Sequence, residues 1–211
     1  MSKTLIIGAS GQIGQLVTKT LVETEESARA LVRDKNKLDC SDNSELEVIE
    51  ANLEGDFSQA FDGVDNVIFV AGSGGSTGAD KTLLIDLWAA KKAVDYAKAA
   101  NIKKFIMVSS IGADDPEAIE SDIKPYLVAK HMADQYLIAS GVPFTIVRPG
   151  PLTNDQGQGK ITIKRPSSRE EMAIPRADVA KSILFILSKD DLNGKVFELF
   201  GGTYDVDNVL V

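Results

Sequence analysis

The sequence predicts an α/β protein with a doubly wound, mostly parallel sheet, and three observations carry that expectation. Short apolar runs alternate with helical patterns, the strand-like runs are apolar at nearly every position, and a glycine-rich turn joins the first run to the first helix. Runs without polar alternation belong to strands buried on both faces, as in parallel sheets. Strand alternating with helix gives right-handed crossovers that place helices on both sides of the sheet.

The elements follow in order. "TLIIGA" (4–9) reads as a buried strand, and "GQIGQLVTKTLVE" (11–23) as a helix with apolar residues three and four apart. "ARALVR" (28–33) and "LEVIEA" (46–51) are the second and third strands, and "NVIFVAG" (66–72) the fourth. A long helix over 80–100 precedes the fifth strand, "KFIMVSS" (104–110). A helix containing Tyr126 leads to the sixth strand, "FTIVRPG" (144–150). "KITIKR" (160–165), a helix in "RADVAKSILFILS" (176–188) and a last strand, "KVFELF" (195–200), complete the chain.

Composition narrows the function. The 211 residues are 44% hydrophobic and 26% charged with a net charge of −8, ordinary for a globular chain with one sizeable core. That charge argues against nucleic acid or anionic membrane as a partner, since both need a positive field. No apolar run has the length of a membrane span, and the start of the chain does not read as a signal peptide. One cysteine, Cys40, and one histidine, His131, provide neither an internal disulfide nor a Cys/His metal site. The expectation is one cytoplasmic domain over 1–211 without a metal, monomeric or homodimeric, taking a small-molecule substrate.

"GASGQIG" places Gly8, Gly11 and Gly14 between the first strand and the first helix. Such a turn lets a pyrophosphate approach the backbone, lets helix and strand pack closely, and aims the helix N-terminus at the phosphate. Gly8, Ser10, Gly11, Gln12, Ile13 and Gly14 are therefore expected to bind a dinucleotide. The end of the second strand reads which one. An acid there accepts from the ribose of NAD, whereas an arginine pairs with the 2′-phosphate of NADP. Arg33 comes first, before Asp34, with Lys35 and Lys37 nearby, so NADP (NADPH) is expected, with NAD as the alternative. Asn52 and Leu53 after the third strand, and Ala71, Gly72 and Ser73 after the fourth, are expected at the same cleft, because ligands lie at the carboxyl ends of the strands. The run Gly74 to Gly78 reads equally as a gate or as a flexible turn.

The fifth strand ends in Ser109 and Ser110, and Tyr126 precedes Lys130 by one helical turn. Hydride transfer to a carbonyl needs a proton at its oxygen. A free phenol with a pKa near 10 is poorly matched to neutral pH, and a close ammonium lowers that value by favouring the phenolate. Lowering it by roughly three units takes about 4 kcal/mol, which a lysine supplies only in a partly dry cleft. A serine hydroxyl would hold the substrate oxygen in reach.

"GASGQIG", "VSS", "YLVAK", "RPGPL" and "RADVA" together resemble the short-chain dehydrogenase/reductase superfamily, over essentially the whole chain. The glycine spacing and short length look like its atypical or extended branch of small NAD(P)H-binding, epimerase/dehydratase-like proteins. That resemblance implies a Rossmann-like fold with Tyr126 as general acid/base and Lys130 supporting it and holding the nicotinamide ribose. Ser110, with Ser109 beside it, would orient the substrate, and Pro149, Gly150 and Leu152 would lie near the nicotinamide. The expected activity is NADP-dependent hydride transfer to a small carbonyl-type substrate. A redox-sensing or regulatory NADP(H)-binding protein without turnover, or a flavin or quinone reductase, are the alternatives. Two departures stand out. The helix after the fourth strand lacks the relay asparagine of fully equipped members, Asp86 being the nearest polar residue, and only about 60 residues follow Pro149. The substrate side is therefore expected to be a small segment, 150–176.

Among the other residues, His131 is expected to point off the catalytic face, one position past Lys130. Trp88 reads as core or a subunit contact, Cys40 carries no role, and Asp178 reads as a structural acid at a helix start. Lys164, Arg165 and Arg169 read as a solvated basic cluster.

Overall fold

The computed structural model describes residues 2–40, 43, 46–75, 77–118 and 121–211. The first apolar runs become β1 (Thr4–Ile7), β2 (Ala28–Val32), β3 (Leu46–Glu50), β4 (Asn66–Phe69), β5 (Lys104–Val108) and β6 (Phe144–Pro149). Every residue of β1, β2 and β5 is buried, whereas β3, at the sheet edge, buries only Leu46. Three later strands extend the sheet: β8 (Lys160–Thr162), β10 (Lys195–Gly201) and β11 (Tyr204–Asp205). The order is β11-β8-β10-β6-β5-β4-β1-β2-β3, parallel from β3 to β10 and antiparallel where β8 meets β10 and β11. The order reverses between β1 and β4, which opens a crevice at their carboxyl ends. This is the doubly wound, mostly parallel Rossmann-like sheet that the sequence predicts.

Side chains alternate across each strand, so every strand feeds two cores. Ile6, Ile68 and Ile106 face α1 (Gln12–Glu23) and α5 (Arg176–Leu187), where Val17, Leu21, Val179 and Ile183 complete one core. Leu5, Ile7, Phe69 and Met107 face α3 (Ala90–Ala99) and α4 (Lys124–Ser140), packing with Ala93, Ala97, Ala133 and Leu137.

The long helix after β4 differs from its expectation. It begins as α2 (Ala79–Lys81), continues as a π-helix over Thr82–Ala89, and returns to α geometry in α3. Over eight residues, apolar spacing does not separate i→i+4 from i→i+5 hydrogen bonding. Trp88 lies on the outer side of the π-helix at 49% exposure, which excludes its core reading. The strand at 160–165 is shorter than expected: Thr162 Oγ1 accepts the Lys164 N–H at 3.1 Å and turns the chain out of the sheet. Within 150–176, β7 (Leu152–Thr153) pairs with β9 (Ile174–Pro175) as a small parallel ribbon beside the sheet. Asp178 binds this segment to α5 by accepting the backbone N–H groups of Gln158 at 3.3 Å and Gly159 at 2.6 Å.

A buried polar group fixes α4 against the strands beneath it. One carboxylate oxygen of Asp134, a fully buried residue, accepts from the Ser109 hydroxyl at 2.9 Å and from Arg148 Nε at 3.0 Å. Burial pushes the Asp134 carboxyl above the usual carboxylate range, although Arg148 and Ser109 oppose the shift. Three elements meet there: the end of β5, the middle of α4 and the end of β6. Removing one partner of a buried pair strands the other charge. Asp134→Ala should therefore lower unfolding stability by about 3–5 kcal/mol in urea titrations, and a loss within 1 kcal/mol would refute this role.

Candidate functional site

The carboxyl end of β1 runs into the glycine turn. Gly8 adopts φ +92°, and a Cβ there would fall 2.7 Å from the backbone N and Cα of Ala71 at the end of β4. A Cβ on Gly14 would fall 2.2 Å from the Gly8 carbonyl oxygen. The two glycines thus allow β1, α1 and the β4 loop to approach as closely as they do, and Gly11 turns the chain by donating its N–H to the Gly8 oxygen at 3.0 Å. Gly11 also stands at the N-cap of α1, where no side chain caps the helix. The first N–H groups of α1 are left for an anion.

A cleft of about 420 Å³ opens over this turn. Gly8, Ser10 and Gly11 form its floor, Asn52 and Leu53 line it after β3, and Ala71, Gly72 and Ser73 line it after β4. Arg33 and Lys37 stand at the end of β2. Asp34 is turned away into its own loop, its Oδ1 accepting both the backbone and side-chain N–H of Asn36 at 3.0 Å. Arg33 makes no hydrogen bond or ion pair among the described residues. Among the described residues, its guanidinium and the Lys37 ammonium are the cations without a partner at this rim. A backbone cradle without β-carbons, uncapped helix amides and a free guanidinium fit a dinucleotide. Ile13 and Gly14 are buried behind the cradle, and Gln12 faces a separate groove of about 720 Å³ along α1, with Cys40 and Arg176. Burial pushes the Cys40 thiol up.

The second half of the site lies at the ends of β5 and β6. Pro125 in the first turn starts α4, and Tyr126 beside it is partly exposed. One turn on, Lys130 is only 3% exposed. Its ammonium donates to the Val108 carbonyl at 3.0 Å, lies 3.5 Å from Asp86 Oδ1, and stands 5.8 Å from the centre of the Tyr126 ring. Burial alone would lower the proton affinity of Lys130. A Tyr126 phenolate, then Asp86 and Asp134, outweigh it, so the pKa lies above that of an ordinary lysine and the side chain stays cationic.

The strand stops at Val108, so the two serines expected at its end follow it, and they differ. The Ser109 hydroxyl is committed to Asp134, and the half-buried Ser110 hydroxyl donates to the Ile111 carbonyl at 3.1 Å. β6 continues beside them, with the Ile111 N–H bonded to the Pro149 oxygen at 3.1 Å. Gly150 packs so tightly that a Cβ would reach within 1.9 Å of the Met172 carbonyl oxygen, and Leu152 is exposed just beyond. His131 lies off this group, its Nδ1 2.7 Å from the Ala113 oxygen. Arg165 is held by Glu198, with Nε to Oε2 at 2.9 Å, and by Asp114 at 3.4 Å, so it is no open anion site.

Asp86 joins the two halves, a role that its sequence neighbours do not reveal. Fully buried in the π-helix, it accepts the Ser73 N–H of the cleft on Oδ2 at 3.1 Å and faces Lys130 with Oδ1. The available signal was an acid inside an apolar helical stripe, where an isolated carboxylate is expensive to bury.

A phosphate-accepting turn at the switch point of a parallel sheet defines a dinucleotide-binding Rossmann protein. A sequence profile of NAD(P)H-binding proteins matches residues 8–190, and the chain belongs to that family. It is 43% identical over 212 residues to the uncharacterized sugar epimerase YhfK of Bacillus subtilis, covering 99% of this chain and 98% of that one. A solved Bacillus halodurans structure, named for the NAD-dependent epimerase/dehydratases, superposes with a TM-score of 0.92 at 39% identity, over 100% of this chain and 99% of that one. The Lactococcus lactis oxidoreductase ylbE gives 0.87 at 28% identity, over 99% and 94%. Among the described residues no helix is long and apolar enough to cross a membrane.

Gly8→Ala tests the cradle. The added Cβ meets backbone and the φ is unfavourable, at a cost of about 1–3 kcal/mol. NADPH affinity, read by fluorescence titration, should fall at least tenfold, on the order of 1.4 kcal/mol; unchanged affinity would place the cofactor elsewhere.

Proposed function

We propose that the protein is an NADP-dependent oxidoreductase acting on a small carbonyl-type substrate, with Tyr126 as its acid/base. The observation that carries this reading is the buried Lys130, kept cationic one helical turn from Tyr126 and tied through Asp86 to the cofactor cleft. The bound nicotinamide cofactor supplies or takes the hydride. The Gly8–Gly14 turn, with Ser10 and the backbone N–H groups of Gln12 and Ile13, would hold its phosphates, and Arg33 would take the 2′-phosphate through paired hydrogen bonds. Asn52 and Leu53 serve the adenine end, Ala71, Gly72 and Ser73 the middle of the cleft, and Ser109, Pro149, Gly150 and Leu152 the nicotinamide end.

Tyr126 donates its proton to the substrate oxygen. Lys130 steadies the phenolate left behind and reaches the nicotinamide ribose. Ser110 turns its hydroxyl from the Ile111 carbonyl to the substrate oxygen; Ser109 stays with Asp134 and supports the strand end. The ribbon of β7 and β9, within 150–176, forms the substrate side, small enough to leave the site open.

The epimerase name of the Bacillus subtilis relative supports a second reading, in which the hydride returns to the same substrate. The two separate cleanly, since a reductase consumes NADPH and an epimerase leaves its amount unchanged. A substrate screen of aldehydes, quinones and flavins that follows NADPH absorbance distinguishes them.

Tyr126→Phe should lower kcat by about 10²–10⁴, the usual worth of a positioned acid, while leaving NADPH affinity within about twofold. Unchanged turnover would remove Tyr126 from the chemistry and favour flavin or quinone reduction. Arg33→Ala should weaken NADPH binding by about tenfold or more, from the loss of about 1.5–3 kcal/mol of charge-assisted bonding, and barely alter NADH binding. Equal losses for both cofactors would sink the 2′-phosphate assignment.

A further inference from the structure

We propose that Asp86 is a positioning residue that sets the charge balance of the Tyr126–Lys130 pair and couples it to the cofactor loop. The proposal rests on the acid/base reading of that pair given above. Three observations carry it. Asp86 is fully buried, yet its Oδ1 has no hydrogen-bond partner and only faces the Lys130 ammonium at 3.5 Å. A buried carboxylate oxygen without a hydrogen bond is costly and rare, and here its charge is what the neighbour uses. The same carboxylate reaches the cofactor loop: Oδ2 accepts the Ser73 N–H at 3.1 Å, and a Cβ on Gly72 would lie 3.2 Å from Oδ1. Finally, Asp86 lies in the π-helix of Thr82–Ala89, the irregular geometry often found at functional sites.

The groups around Lys130 fix the direction of the effect. Tyr126 and Asp134 face it from α4, Asp86 from the π-helix, and the Val108 carbonyl from β5. Arg148 on β6 reaches the group through its bond to Asp134. The negative charge of Asp86 holds the ammonium in place and offsets part of its field at Tyr126. A contact that moves Ser73 changes that offset through a single carboxylate, so cofactor entry and proton transfer are linked without a long chain of residues.

Two substitutions separate the two duties. Asp86→Asn keeps an oxygen acceptor for the Ser73 N–H and removes the charge, whereas Asp86→Ala removes both. Removing a negative charge lowers the proton affinity of both members of the pair, whichever loses its proton first. The alkaline midpoint of the pair, followed by the ¹³C resonance of the Tyr126 ring and assigned with Tyr126→Phe, should fall by about one unit in both variants. NADPH affinity should stay within about twofold in Asp86→Asn and weaken about tenfold in Asp86→Ala, the loss of one charge-assisted hydrogen bond. An unchanged midpoint in Asp86→Asn overturns the charge role, and equal NADPH affinities in the two variants overturn the coupling. The ring titration needs no turnover, so these outcomes remain distinct from a failure of the acid/base reading, which unchanged turnover of Tyr126→Phe reports. Should Asp86→Asn not fold, the neutral pair Asp86→Asn/Lys130→Met is compared with Lys130→Met alone. The same downward shift supports the proposal and its absence overturns it.

Discussion

An ammonium buried at the end of β5 has to be compensated, and much of the site follows from how Lys130 is. Its nearest oxygens come from β5 and the π-helix, and its own helix brings Tyr126 and Asp134 near it. None of these elements can shift without exposing a charge to an apolar interior, so their mutual positions are over-determined. The Ser109–Asp134–Arg148 group extends the same constraint to β6. A shared buried charge of this kind holds the side chains around it in fixed positions.

The cofactor side is built on the opposite principle. At Gly8 and Gly14 it is the absence of side chains that matters, since any β-carbon would collide with backbone 2.7 Å or less away. The result is a cradle of amides whose fixed dipoles suit an anion. Among the described residues lining the cleft, Arg33 and Lys37 add unpaired cations, Lys81 being paired with Glu54, in a chain whose net charge is −8. In a chain of net charge −8, two such cations at one cleft favour an anion at that place.

How legible this was in the sequence depended on whether the signal was local. The strands around the switch point were legible because apolar runs buried on both faces need no partner to be recognised. The glycine turn was legible because its spacing reports a local steric demand. The π-helix was not, because its distinguishing hydrogen bonds leave little trace in eight mostly apolar residues. Nor was the division of labour between Ser109 and Ser110: the strand ends at Val108, and only the fold shows which of the two serines after it meets Asp134. Trp88 sat in an apolar stripe yet emerged on the outer side of the π-helix, a consequence of the same irregular segment.

Asp86 brings these strands of argument together. In sequence it was only the nearest polar residue to the place where the resemblance to short-chain dehydrogenases leads one to expect a relay asparagine. An asparagine there would offer a neutral amide; a carboxylate offers charge, and its effect on a buried ammonium is far larger at the same distance. Exchanging one for the other keeps a polar anchor on the helix while changing what the anchor does, from passing hydrogen bonds along to setting the electrostatic balance. The carboxylate faces Lys130 at 3.5 Å without a hydrogen bond, a geometry that suits an electrostatic partner better than a member of a relay. Because Ser73 hangs on its other oxygen, the loop after β4 and the Lys130 ammonium on α4 are held by one carboxylate.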